Sequence, residues 1–509
     1  MKKYIISIDQ STQGTKALLF DEKGKLLLRT DLPHRQIVNE QGWVSHDLNE
    51  IYHNTVESVR KLVEQSQIDT SEILAVGISN QRETTAMWSR KTGKPLELAI
   101  VWQCGRAHDI VEKLDKQGYG ELVKKKTGIP LSAYFPAAKM AWLLQQDKAD
   151  LDGERLQQAH DNEICLGTID SWLIYKLTKE HVFKTDYSNA SRTQLLNLQT
   201  LTWDEELCEI FKIPTCCLAQ ICDSDAIYGY TDMEGIFKES VPICGIMGDS
   251  HAALFGQGCL KKGMIKATYG TGSSLMMNVG DKPVYSNHGV VTSLAWGMNG
   301  KVSYVLEGNL NYAGAVITWL KNDMKLIETA KETESLAFLA NPMDRTYLVP
   351  AFSGIGAPYW DENATACICG MTRTTGRAEI VKAALECIAY QITDLVAAME
   401  RDTGMCIEEL RVDGGPTANR YLMQFQSDIS GKLVNVPDVE ELSGIGAAYM
   451  AGISAGLYPK DEFLTNRKQH VYFPEMEADT RNEKYTGWKC AVSSVLTEKN
   501  QSMMEKELV

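Results

Sequence analysis

A carboxylate at the end of an apolar run, with a glycine–hydroxyl turn soon after it, marks the stretch from Val241 to Gly280, VPICGIMGDSHAALFGQGCLKKGMIKATYGTGSSLMMNVG. VPICGIM is short enough for a buried strand and stops at Gly248-Asp249. Asp249 then falls just past a strand's carboxyl end, where α/β sheets gather their ligands. HAALFGQGC predicts a helix, with Ser250 or His251 near its start. MIKATYGTGSSLMMNVG predicts strand, turn, strand. The turn glycines permit positive φ and close backbone approach, and its hydroxyls and amides can donate to a phosphate. These are the parts for taking a proton from a hydroxyl while a phosphoryl group is held nearby. A solvated aspartate and an ordinary hairpin fit this stretch alone equally well.

Asp9 to Lys16, DQSTQGTK, offers the same kind of tip. It follows the strand KYIISI and precedes ALLFD and, after the turn EKGK, LLLRT, so this region reads as a β-meander with its polar groups at one end. The 264–280 stretch repeats that plan about half a chain later. Two phosphate-cradling hairpins, one per half, imply two similar α/β domains facing each other across a cleft. Ser/Thr/Gly turns are common enough for coincidence. Against that stands the match itself, with Asp9 opening one tip and Asp249 standing before the other.

Other elements must position these tips. Residues 49–67 read as an amphipathic helix, and SEILAVGIS (71–79) as an apolar strand buried on both faces. That strand runs into NQRETT, where Arg82 only donates and Glu83 only accepts, so the two could grip opposite edges of a polyhydroxylated ligand. A surface ion pair is the commoner use of such a dipeptide. AIVWQCGRA (99–107) reads as a strand ending at Trp102, and Tyr134 precedes a helix started by Pro136. Both aromatics are more often core residues than walls against a sugar's C–H face. CLGTIDSWLIYKLT reads as helix and loop. Further on, 377–401 carries the longest helical periodicity, and 410–431 reads as strand, Gly414-Gly415 turn and helix. Residues 443–456 form a small-residue helix, and the tail after about Thr480 reads as surface helix.

The 509 residues predict two to four packed units. A net charge of −14 argues against a nucleic-acid binder, while small phosphates stay bindable through local cations. Thirteen scattered cysteines without paired CxxC spacing predict reduced thiols in the cytoplasm. MKKYIISIDQ has too short an apolar run for a signal peptide, and no run approaches the ~18 residues of a membrane span, so no membrane partner is expected. The P-loop, HExxH, GxSxG and protein-kinase motifs do not occur.

IDQSTQGTKALLFD, GWVSHD, ISNQRETTAMW, AIVWQC, TDYSNASRT, YGTGSSLMMNVG, LECIAYQ, LRVDGGPTANRYLMQFQSD and GIGAAYMAG, in that order, resemble the FGGY carbohydrate kinases from end to end, and most of all the glycerol kinases among them. The resemblance implies a duplicated α/β fold, actin/hexokinase-like (ribonuclease H-like), with an interdomain ATP cleft. It places a sugar- or polyol-binding N-terminal domain at 1–250 and a nucleotide-binding C-terminal domain at 251–509. It implies ATP and Mg²⁺, a small polyol or sugar as substrate, and a cytoplasmic homo-oligomer, dimer or tetramer. Carried across residue by residue, Asp249 matches the catalytic base, and Arg82, Glu83, Trp102, Tyr134 and Asp249 match the polyol pocket. Thr12, Thr271, Gly314, Gly415 and Asn419 match ATP contacts, with Ser11, Gln13, Lys16 and Gly270 on the same two tips and Asp9 near the Mg²⁺.

The departures concern the acceptor. Ser250 and His251 follow Asp249 where Gln-Gln is usual, Ser274 replaces a bulky aromatic, and Thr318 stands where an adenine-contacting Gln is usual. The Gly-Gly-x-x-Arg loop tied to sugar-bisphosphate inhibition is absent around Asp232 to Lys238. Ser250 and Ser274 remove bulk and add hydroxyls, so the expected acceptor is a four- or five-carbon polyol or ketose, with glycerol as the alternative. A remoter alternative on this fold is an ATPase acting as an interaction switch, which has no need of a sugar-sized pocket beside Asp249.

Overall fold

The computed structural model describes residues 3–145, 154–459 and 469–497. Its first large sheet has six strands, in the order Gly229–Thr231, Val241–Gly248, Ile73–Asn80, Tyr4–Gln10, Gly14–Phe20 and Leu26–Pro33. The last three form the expected antiparallel meander. Ile73–Asn80 lies parallel to both Tyr4–Gln10 and Val241–Gly248. The register sets Gln10 opposite Asn80 and Asn80 opposite Gly248, so three parallel strands end level. That alignment is what brings Asp9, the Asn80–Thr85 loop and Asp249 to one edge of the sheet.

The second large sheet follows the same plan. Its hairpin Ile265–Tyr269/Ser273–Gly280 pairs antiparallel with Lys301–Leu310 on one side and parallel with Glu409–Asp413 on the other. A five-stranded sheet in the first half carries Thr85–Ser89, Ala99–Ile100 and Ile164–Thr168.

Helix Leu442–Ser454 explains its run of small residues. It packs on helix Asp249–Gly256, and a Cβ on Gly446 would collide with the Ala252 carbonyl. Its residues share one apolar cluster with strand residues of both halves, among them Ile5, Ala75, Met247 and Met276.

Local readings fail where tertiary pairing intervenes. Asp9 lies inside its strand rather than after it, held by Lys16 and Ser79 as sheet partners. The 99–107 strand shrinks to Ala99–Ile100, because the chain turns at Trp102 and Gln103 and leaves the sheet. Residues 164–168 form a strand ahead of the helix Ile169–Leu177. Helix Ala478–Ser493 is no plain surface helix: Trp488 is fully buried and stacks on Tyr390 at 5.2 Å, and residues 498–509 lie outside the described set. All thirteen cysteines are free thiols. Among the described residues no helix is long and apolar enough to cross a membrane.

Candidate active site

Asp249 is the first residue of helix Asp249–Gly256, which starts directly from the Val241–Gly248 strand. Its Oδ1 accepts the Ser250 N–H at 2.6 Å and lies 3.3 Å from Arg82 Nε. The Asp249 side chain is 35% exposed and that of Arg82 only 5%, so the carboxylate faces open space from a buried cation. That space is a cavity of about 750 Å³ lined by Asp9, Lys16, Asp249, Ser250, Lys266 and Asp413 among others.

Asp9 is buried, and burial pushes its carboxyl up to about 6; Lys16 opposes the rise while Glu441 and Asp249 add to it. Ser79 Oγ donates to Asp9 at 3.0 Å, and Lys16 bridges Asp9 (3.7 Å) and Glu441 (2.5 Å). A crowded carboxylate of this kind suits a hard cation that completes its shell with phosphate and water oxygens. Among the described residues no cluster of three or more His, Cys, Asp or Glu could hold a metal unaided.

Arg82 and Glu83 are not free arms reaching for opposite edges of a ligand, nor a surface pair. Both are buried in a closed ring of charges. Arg82 donates to both carboxylate oxygens of Glu307 at 2.9 and 2.7 Å. Arg192 donates through Nε to Glu83 at 2.6 Å and lies 2.8 Å from Glu307. Burial alone would raise the Glu307 carboxyl; Arg192 and Arg82 outweigh it and hold it far below the usual range. His251 sits against this ring, and burial first, then Arg82, drive its imidazole well below its ordinary value. Glu83 itself has φ 58°, left-handed backbone that a residue with a Cβ adopts only under constraint.

Trp102 and Tyr134 meet ring to ring at 5.5 Å, and Trp102 Nε1 donates to Thr12 Oγ1 at 3.0 Å. The first tip therefore faces the aromatic pair. Ser11 closes its own turn onto the Gly14 carbonyl at 3.0 Å, and Gln13 is exposed; neither is brought to either cavity described here. Ser274 pairs in register with Asn309, and its buried hydroxyl finds no partner among the described residues.

A second cavity of about 820 Å³ gathers Gly270, Thr271, Gly314, Thr318, Gly415 and Asn419, and it adjoins the first through Gly415 and Ala418. Gly314 N–H donates to the Gly270 carbonyl at 2.9 Å, and a Cβ at Gly314 would stand 2.7 Å from that oxygen. Asn419 spends its side chain locally, Oδ1 accepting Leu422 N–H and Nδ2 donating to Thr333, both at 3.0 Å. Thr318 Oγ1 donates to the Gly314 carbonyl one turn back.

Sequence reasoning missed Glu307, Arg192, Lys266 and Asp413. A single Glu inside the apolar strand VSYVLEGNL was the available signal for Glu307, since a buried carboxylate needs a cation.

The model for the FGGY family of carbohydrate kinases, N-terminal domain, matches residues 4–256, and that for the C-terminal domain matches residues 265–455. Glycerol kinase 2 of Thermotoga maritima is 45% identical over 496 residues, covering 97% of this chain and 99% of that relative. A crystal structure of Plasmodium falciparum glycerol kinase with ADP is similar at a TM-score of 0.90 and 35% identity, covering 97% of this chain and 98% of that one. A ligand-bound xylulose kinase from Lactobacillus acidophilus reaches a TM-score of 0.87 at 23% identity, covering 98% and 100%, a likeness of fold alone.

Proposed function

Because this chain belongs to the FGGY family of carbohydrate kinases, we propose that it transfers the γ-phosphoryl group of ATP to a terminal hydroxyl of glycerol. The observation that carries the reading is Asp249: a half-exposed carboxylate beside Arg82, facing a cavity that adjoins a second one lined by Thr271, Gly314 and Gly415. In this reading residues 1–250 hold the polyol and residues 251–509 the nucleotide. The ADP named for the Plasmodium falciparum relative supports ATP as donor, with its adenosine in the second cavity.

Asp249 takes the proton from the attacking hydroxyl, and Arg82 Nε steadies that carboxylate. Trp102 and Tyr134 supply apolar faces for the carbon chain. Lys16 and Lys266 line the first cavity and meet phosphate charge. Asp9, with Asp249 beside it, would hold Mg²⁺, which when bound neutralises charge on the transferring phosphoryl group. Positioning and charge neutralisation supply most of the rate.

Glycerol is preferred to the four- or five-carbon acceptor expected from Ser250 and Ser274, since relatives similar over nearly the whole chain are named glycerol kinases. The larger acceptor stays as the second reading on the strength of the unpartnered Ser274 hydroxyl. A coupled ADP-release assay with glycerol, erythritol, erythrulose, xylulose and ribulose tests both. Glycerol should give the highest kcat/KM; preference for a ketose would favour the second reading, and ADP release indifferent to every polyol would overturn both.

A further inference from the structure

Lys139 takes no part in the chemistry above, yet it is fully buried on helix Pro136–Gln145, directly behind the acceptor wall. Its Nζ donates to the backbone carbonyls of Tyr134, of Trp102 at 3.1 Å and of Glu83 at 3.5 Å, the longest of the three. These residues come from three separate segments: Trp102 and Tyr134 are the aromatic pair set against the carbon chain in the reading above, and Glu83 belongs to the charged ring beside Asp249. An ammonium offers three donors and no acceptor, so three carbonyls use it completely. A guanidinium is flat and bulkier and cannot gather three oxygens around one point. Glu83 adds an independent reason, because its left-handed backbone must be held by its surroundings and its carbonyl is one of the three.

We infer that Lys139 is a positioning residue for the polyol: its ammonium draws the carbonyls of Glu83, Trp102 and Tyr134 to one point and so sets the spacing of the wall the acceptor lies against. The inference rests on the acceptor-site reading given above. Burial pulls the ammonium down to about 7, opposed by Glu83 and Cys104 and assisted by Arg106. The three carbonyls accept from the ammonium and so also favour its charged form against that burial. Lys139 does not line the second cavity, so nucleotide binding has no reason to depend on it.

Steady-state kinetics on Lys139→Met and Lys139→Gln tests this, with KM determined separately for polyol and for ATP and thermal unfolding followed alongside. Met keeps the length and loses every donor; Gln keeps two and is the variant to rely on should Met not fold. The expected result is a rise in polyol KM of about tenfold or more in Met and a smaller rise in Gln, with KM for ATP within about twofold. Folded variants whose polyol KM is unchanged, or whose two KM values rise together, overturn the role and leave Lys139 a structural lysine. Failure of the underlying reading looks different, because the unmodified enzyme would then show no polyol-dependent ADP release at all.

Discussion

Beside Asp249 stands a ring of charged side chains, Arg82, Glu83, Arg192 and Glu307, buried and paired with one another, and its cavity is lined by further charges, Asp9, Lys16, Lys266 and Asp413. Around Thr271 the lining is mainly glycine and apolar side chains, Gly270, Gly314, Gly415, Leu385, Ile388 and Leu422, with Lys321, Lys331 and Glu334 also on it and none of them fully buried. An acceptor with a hydroxyl on each carbon calls for donors and acceptors at fixed points, and buried ions stay fixed only when paired. A nucleotide presents a flat ring and phosphate oxygens, which apolar surface and backbone amides meet with no charge to bury. The two sides should therefore fail differently. Deleting a charge should harm the Asp249 side by stranding its partner, whereas adding bulk should harm the Thr271 side.

Asp249→Asn should have the largest effect, lowering kcat about 10²–10⁴-fold while calorimetry finds ADP affinity unchanged. A variant turning over at the normal rate would remove Asp249 from the role of base. Glu307→Gln comes next, because it leaves Arg82 and Arg192 buried without their shared counter-charge. A loss of about 3–5 kcal/mol is expected, read from the midpoint of urea unfolding. An unmoved midpoint would show that the ring does not hold this side together.

Gly314→Ala probes the opposite side, since its methyl would stand 2.7 Å from the Gly270 carbonyl oxygen. Overpacking of about 1–3 kcal/mol should appear as a raised KM for ATP with polyol KM unchanged. Equal rises in both would dissolve the contrast between the cavities. The smallest effect concerns Asp9. Its carboxyl titrates at about 6, so the Mg²⁺ needed for half-maximal rate should rise as pH falls through that value, by at most about tenfold per pH unit. The stability contribution runs the other way: a folded value above the unfolded one favours folding at low pH and is lost as pH rises through about 6. A Mg²⁺ requirement flat from about pH 5 to about pH 7 would take Asp9 out of the cation site.

How far the site could be read in advance depended on whether its cause was local. Asp249 was legible because an apolar run ending in Gly-Asp announces a strand boundary, and the structure starts a helix there. The Gly270-Thr271 turn was legible for the same reason, with strands ending at Tyr269 and resuming at Ser273. Arg82 and Glu83 were found but the ring that holds them was not, since their partners lie far along the chain: Glu307 is 225 residues from Arg82, and Arg192 is 109 residues from Glu83. The hydrogen bond that Thr12 accepts from Trp102 was not legible either, since 90 residues separate the two.

By itself the sequence determined the repeated hairpin, the strand end that precedes Asp249, and the kind of chemistry, because hydrophobic period and turn residues act over a few neighbours. Only the tertiary structure decided which charges neutralise each other, how the two cavities adjoin, and that Lys139 gathers the carbonyls of Glu83, Trp102 and Tyr134. Those outcomes depend on burial and on through-space partners, and chain separation carries no record of either.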